Sequence, residues 1–105
     1  MSNMQARHDD SKKLGLQYIL AMPGLCSVAA VGDFGSAKYS RYNYKAGMHW
    51  MKLGGSCTRH LCAWLKGEDL DQESNLPHLA HLAYDALMLL DYSMSNKGAD
   101  DRYHD

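Results

Sequence analysis

The sequence predicts an all-α fold, a small helical bundle with three main helices completed by oligomerisation. Apolar residues recur at helical spacing over long stretches, prolines stand where helices open, and little chain is left over for strands. At 105 residues the chain holds one compact core and is too short to divide comfortably into two.

Residues 1–13 are polar and aperiodic and read as a flexible N-terminal tail; 14–94 form a single domain; 95–105 read as a flexible C-terminal tail. Residues 14–22, LGLQYILAM, fit either a short helix or an extended segment. Pro23 suits the opening turn of a helix that runs to about Tyr39, with Leu25, Val28, Ala29, Gly32 and Gly35 at helical spacing. Each glycine weakens a helix by about 1 kcal/mol, so close approach of another backbone is the expected reason for the pair. A second helix spans about Met48 to Lys66 on the stripe Trp50, Leu53, Gly54, Cys57, Leu61, Trp64 and Leu65, and Gly67 terminates it. After an acidic loop, Pro77 opens a third helix whose stripe is Leu79, Leu82, Ala83, Ala86 and Leu90. Helices this short bury their stripes poorly as a pair. A homo-oligomer is therefore expected, with a monomeric three- or four-helix bundle as the alternative.

Composition narrows the function classes. Apolar residues make up 46% and charged residues 22%, so the chain folds. A net charge of −1 supplies no basic field for an extended nucleic acid. No apolar run approaches the roughly 18 residues of a membrane span, and the N-terminus lacks a signal peptide, so a cytoplasmic protein without a membrane partner is expected. Cys26, Cys57 and Cys62 form no C-x-x-C pair and are expected to be buried, reduced thiols. The G-x-S-x-G elbow, Walker loop, dinucleotide fingerprint and H-E-x-x-H motif are all missing from the sequence.

Usable chemistry is densest between Arg59 and Asp85. His78, His81 and Asp85 share one side of the third helix within roughly 60° of arc, bordering its apolar stripe. Such groups bind metal, move protons or hold phosphate, or else serve as satisfied core residues. His60 sits at the edge of the second helix's stripe and can face them, whereas Arg59 projects opposite the stripe, either solvated or against a ligand or another subunit. Glu68, Asp69, Asp71 and Glu73 follow a helix C-terminus, where negative charge is disfavoured. A divalent metal, Lys66 or Arg59 could compensate them, or hydration alone. Magnesium or manganese suits an oxygen-rich site, and zinc or another transition metal suits one that includes His78 and His81. In KYSRYNYKAG, Lys38, Arg41 and Lys45 alternate with Tyr39, Tyr42 and Tyr44, the residue types that pair phosphates and stack bases. A solvated loop is the plain alternative.

The strings DFGSAKYSRYNYKAG and RHLCAWLKGEDLDQESNLPHLAHLAYDALMLL together resemble the N-terminal domain family of phage dATP/dGTP diphosphohydrolases. The shared pattern is F-G-x-x-K-Y at Phe34 to Tyr39, an N-aromatic pair at Asn43 and Tyr44, R-H at Arg59 and His60, G-E-D-x-D at Gly67 to Asp71, and P-H-x-x-H at Pro77 to His81. The resemblance implies hydrolysis of dGTP or dATP to the monophosphate and pyrophosphate with a divalent metal, magnesium or manganese. On that resemblance His60, His78 and His81 are the catalytic candidates. Lys38, Tyr39, Asn43, Tyr44 and Arg59 would bind substrate, and Glu68, Asp71 and Asp85 would hold metal. The chain departs from the pattern at Asn75, where glycine is usual, and at Asp85, where asparagine is common. The E-x-x-E plus E-x-x-D carboxylate set of all-helical nucleotide pyrophosphohydrolases is also half missing, since Glu68 to Asp71 supplies one half.

Three functions remain open. The first is a metal-dependent hydrolase of a purine deoxynucleoside triphosphate. The second is a non-catalytic oligomeric sponge that sequesters a nucleotide-derived host immune signal, for which no activated water is needed. The third is a structural helical module. A phage protein of either nucleotide-handling kind would work in the cytoplasm of the infected host.

Overall fold

The computed structural model describes residues 13–38 and 47–103, the side chain of Lys38 excepted. Among them are four helices: α1, Leu16–Leu20; α2, Leu25–Lys38; α3, Trp50–Leu65; and α4, His78–Ser95. No strand occurs among the described residues, and two isolated bridges, His49 to Ala99 and Leu70 to Pro77, pin loops together. The three long helices lie where the sequence places them, and residues 14–22 resolve to the short helical turn α1, none of whose residues is buried.

Gly67 ends α3 as expected. Its φ of +98° is open to glycine without strain, and the N–H groups of Gly67 and Glu68 reach back to the carbonyls of Trp64 and Ala63 at 2.9 and 3.0 Å. The chain then reverses, and α4 packs most extensively on α3 and next on α2. Side-chain contacts pair residue 60 with 78, 57 with 82 and 56 with 85, which makes α3 and α4 an antiparallel hairpin. On α2, a Cβ added at Gly32 would stand 3.1 Å from Cε2 of Tyr84, so this glycine admits a tyrosine ring from α4 rather than another backbone. No described residue lies within 4 Å of such a Cβ at Gly35, so packing among the described residues does not explain that glycine.

Among the described residues the buried apolar core consists of Val31, Leu53, Ala80 and Tyr92, joined by two buried histidines, His78 and His81. This corrects the stripe expected on α4. The inward face follows His78, His81, Asp85, Met88 and Tyr92, a repeat of three and four residues, while Leu79 and Leu90 are 43% and 54% exposed. Apolar periodicity marks a face that avoids water but not the neighbour that covers it. Here the polar residues of α4 turn inward because Glu68, Ser74 and Ser56, from the preceding loop and α3, satisfy them there.

The C-terminal segment also differs from expectation. Residues 96–103 do not trail from α4 but cross the N-terminus of α3. Asn96 takes the left-handed conformation that ends α4, the Trp50 Nε1–H donates to the Lys97 carbonyl at 2.9 Å, and the Trp50 N–H donates to that of Ala99 at 3.0 Å. Asp101 accepts the Met51 N–H at 2.9 Å. Arg102 grips Asp100 through two 2.8 Å bonds while lying 5.2 Å from the centre of the Trp50 ring. Cys26 and Cys62 are exposed and only Cys57 is half-buried, a correction to the expectation of three buried thiols. No helix among the described residues is long and apolar enough to cross a membrane.

Candidate functional site

The last turns of α3 and the first turns of α4 meet where their polar residues face each other, and this brings three imidazoles together. His60 Nδ1 lies 2.8 Å from His78 Nδ1. The His60 and His81 rings stack at 4.6 Å between centroids with 7° between planes, and Phe34 of α2 approaches His81 edge-on at 6.3 Å. On its far side His78 Nε2 sits 2.6 Å from Glu68 Oε1, and Gln72 Nε2 steadies the other carboxylate oxygen at 3.0 Å. A carboxylate accepts only, so His78 carries its proton on Nε2. In neutral His78 that leaves Nδ1 with a lone pair, facing the Nδ1–H of His60.

The loop between α3 and α4 builds the second part of the site. Asp71 Oδ2 accepts both the N–H and the hydroxyl of Ser74 at 2.9 Å, closing a tight turn of the kind aspartate and serine favour. The Asp71 N–H binds the Leu76 carbonyl and the Asn75 N–H binds the Asp71 carbonyl, each at 2.8 Å. Asn75 takes φ 60°, a conformation open to glycine, so its departure from the usual glycine is accommodated. Ser74 Oγ, donating to Asp71, accepts from His81 Nε2 at 2.7 Å. Asp71, Ser74 and His81 thus form one ordered chain that, in neutral His81, leaves the lone pair on Nδ1. His81 Nε2 stands 3.9 Å from the Asp71 carboxylate.

These contacts shape the charges. Burial, then repulsion from His81, pushes His60 below the usual histidine range and favours the neutral imidazole. Hydrogen bonds from His78 and then Gln72 hold Glu68 below the usual carboxylate range. Burial drives Asp71 upward, but the two bonds from Ser74 and the charges of His81 and His60 outweigh it, and its carboxyl also sits low. Hydrogen bonds from His78, Gln72 and Ser74 thus stabilise two carboxylates of the acidic loop, Glu68 and Asp71, after the helix end.

The cluster opens onto a cavity of about 570 Å³. Its walls carry His60, His81 and Asp71 at one corner and Val31, Phe34, Leu53, Tyr84 and Met88 elsewhere. Lys52, Ser56 and Arg59 share one face of α3 and line the cavity too. Arg59 lies off the apolar stripe, as the projection requires, and is exposed where it borders the cavity.

Of the expected metal ligands, Asp71 joins His60 and His78 in a group whose donor atoms all lie within 4.8 Å of one another. Glu68 stands behind His78, and Asp85 Oδ2 accepts the Ser56 hydroxyl at 2.6 Å. Tyr39, Asn43, Tyr44 and the side chain of Lys38 lie outside the described residues. Ser74, Ser56 and Lys52 escaped the sequence reading. The D-x-x-S spacing at Asp71 is the local signal for Ser74, and helical spacing from Arg59 is the signal for the other two.

A family model described as dATP/dGTP diphosphohydrolase, N-terminal, matches residues 3–102, which takes in every residue of the cluster and the cavity wall. The chain belongs to this family. No curated protein and no solved structure matches. Within the dATP/dGTP diphosphohydrolase N-terminal family, this chain therefore carries a histidine-lined corner in which one carboxylate and two imidazoles form the donor group.

Proposed function

We propose that the cavity binds a purine deoxynucleoside triphosphate, dGTP or dATP, and that its histidine corner hydrolyses it to the monophosphate and pyrophosphate. The observation that carries this reading is the convergence of His60, His81 and Asp71 with Lys52 and Arg59 on the wall of one 570 Å³ cavity, a volume in the range of small-molecule sites. The purine preference comes from the family description.

The apolar wall formed by Phe34, Tyr84 and Met88 would take the base, and Lys52 and Arg59 would neutralise the triphosphate. The donor group fits a divalent ion, with His60, Asp71 and His78 to hold it. When bound, the ion screens the phosphate charge and acidifies water. Water adds its oxygen to the α-phosphorus, the bond from that phosphorus to the α,β-bridging oxygen breaks, and pyrophosphate leaves with the electron pair. His81 Nδ1 accepts the proton, and Ser74 and Asp71 spread the resulting positive charge. Pyrophosphate release from dGTP and dATP with magnesium or manganese tests the reading, with His81→Ala expected to lower kcat by about 100-fold or more. No release across that panel sinks it.

One observation favours sequestration as the second reading. Glu68 is tied to His78 and Gln72, and Asp85 to Ser56, which leaves Asp71 as the carboxylate in the donor group. Intact nucleotide recovered after heat denaturation of a complex would support the sponge, and a converted product would remove it. Either function suits a homo-oligomer in the host cytoplasm, since the outward apolar face of α4 would be covered by a second copy.

A further inference from the structure

We infer that His60, His78 and Asp71 form an imidazole-rich site that takes a first-row transition dication, manganese through zinc, in preference to magnesium, with Glu68 holding His78 from behind. The inference rests on the metal-dependent reading above and deepens it by naming the class of ion.

Donor chemistry is the first reason. Two of the three donors are imidazole nitrogens, which suit manganese through zinc increasingly well along the first row. Magnesium instead takes oxygen ligands in a near-ideal octahedron and keeps several waters.

The second reason is the Glu68 contact. A histidine that ligates through one ring nitrogen characteristically donates its other N–H to a carboxylate, which fixes the tautomer and raises ligand basicity. His78 Nε2 makes that bond to Glu68 at 2.6 Å, and the lone pair stands on Nδ1, facing His60. The buried imidazole, 5% exposed, is thus held in the one orientation that points Nδ1 toward its neighbours.

Spacing agrees. Two ligands each about 2.1 Å from one ion stand roughly 3.0 to 3.4 Å apart at octahedral to tetrahedral angles. The two Nδ1 atoms are 2.8 Å apart, so a few tenths of an ångström of opening turns a proton-sharing pair into a chelating one. Asp71 is already fixed by Ser74, and three protein donors leave positions open for water and phosphate on the cavity side.

Calorimetric titration of the metal-free full chain with zinc, manganese or magnesium chloride, without nucleotide, tests this. One zinc or manganese per chain should bind ~100-fold or more tightly than magnesium. His78→Ala should abolish binding, and Glu68→Gln should weaken it by about 10- to 100-fold while circular dichroism stays unchanged. Should His78→Ala fail to fold, X-ray absorption at the zinc edge of the wild-type chain reads the first shell directly, with two imidazoles expected. Equal affinity for magnesium, an oxygen-only shell, or undiminished binding by a folded His78→Ala variant each overturns the inference. Hydrolysis is not part of these readouts. A chain that binds zinc through two imidazoles yet releases no pyrophosphate loses the proposed function and keeps this site.

Discussion

His60 and His78 point their Nδ1 atoms at each other across 2.8 Å, and a hydrogen bond of that length holds one proton between two nitrogens. If both rings were fully protonated, two N–H groups would collide there. Glu68 secures the His78 proton on Nε2, so acidification brings the conflict to the contact between α3 and α4.

With metal chelated, stability should fall as the pH drops below about 6.5. Burial and His81 lower the folded pKa of His60 from its ordinary 6.5, so the unfolded chain binds the proton more readily. The contribution of His60 is fully present above 6.5 and is lost as pH falls toward its lowered folded value. Melting temperatures across pH 7.5 to 5.5 measure it. His60→Gln should flatten that slope, and an unchanged slope in the variant would show that other groups cause it.

The three thiols should react unequally. Burial, followed by the charge of Asp85, raises the Cys57 pKa, and its Sγ leans on the Leu82 carbonyl at 3.9 Å. Cys26 and Cys62 are exposed. A disulfide reagent at neutral pH should titrate two thiols quickly and the third only on unfolding, with mass spectrometry placing the slow one at Cys57. Rapid reaction of all three would contradict the packing of α3 on α4.

What the sequence discloses about this molecule depends on how local the governing interaction is. Gly67, Pro77 and the two apolar periods set the helices within a residue or two, because caps and periodicity act over a few positions. Arg59 with His60, and Pro77 to His81, bring the cluster's histidines into view on motif spacing alone. The face of α4 was harder. His78, His81 and Asp85 read as a polar margin, because nothing local reveals that Glu68, Ser74 and Ser56 would satisfy them inside. Asp101 on the N-terminus of α3 joins residues 50 positions apart, and no window of sequence contains both.

That long-range cap carries its own prediction. No side chain of α3's own N-cap residue, His49, caps the helix, and the Asp101 carboxylate takes the Met51 N–H instead. Asp101→Ala should therefore cost about 0.5 to 2 kcal/mol in denaturant unfolding, the usual value of an N-cap. Asp101→Asn keeps an acceptor and should recover most of it. No loss in the alanine variant would mean that the segment after α4 does not engage α3 in solution.

The outward face of α4 argues for self-association. Leu79, Ala83, Ala86, Leu90 and Met94 are spaced by four, three, four and four residues, so they form one stripe, and its leucines and methionine are 43%, 54% and 79% exposed. Beside it α3 exposes Met51, Leu61 and Leu65, and a shallow groove floored by Gly54 runs between Met51 and Leu90. A continuous apolar face of two antiparallel helices matches itself under two-fold rotation, and pairing it would give a four-helix bundle. Leu90→Lys places a charge within that stripe and touches none of the histidines. Sedimentation should show the wild-type chain at a multiple of 11.8 kDa and the variant at 11.8 kDa, both with the same helical spectrum. A wild-type chain that sediments as a monomer would mean that this stripe remains open to water.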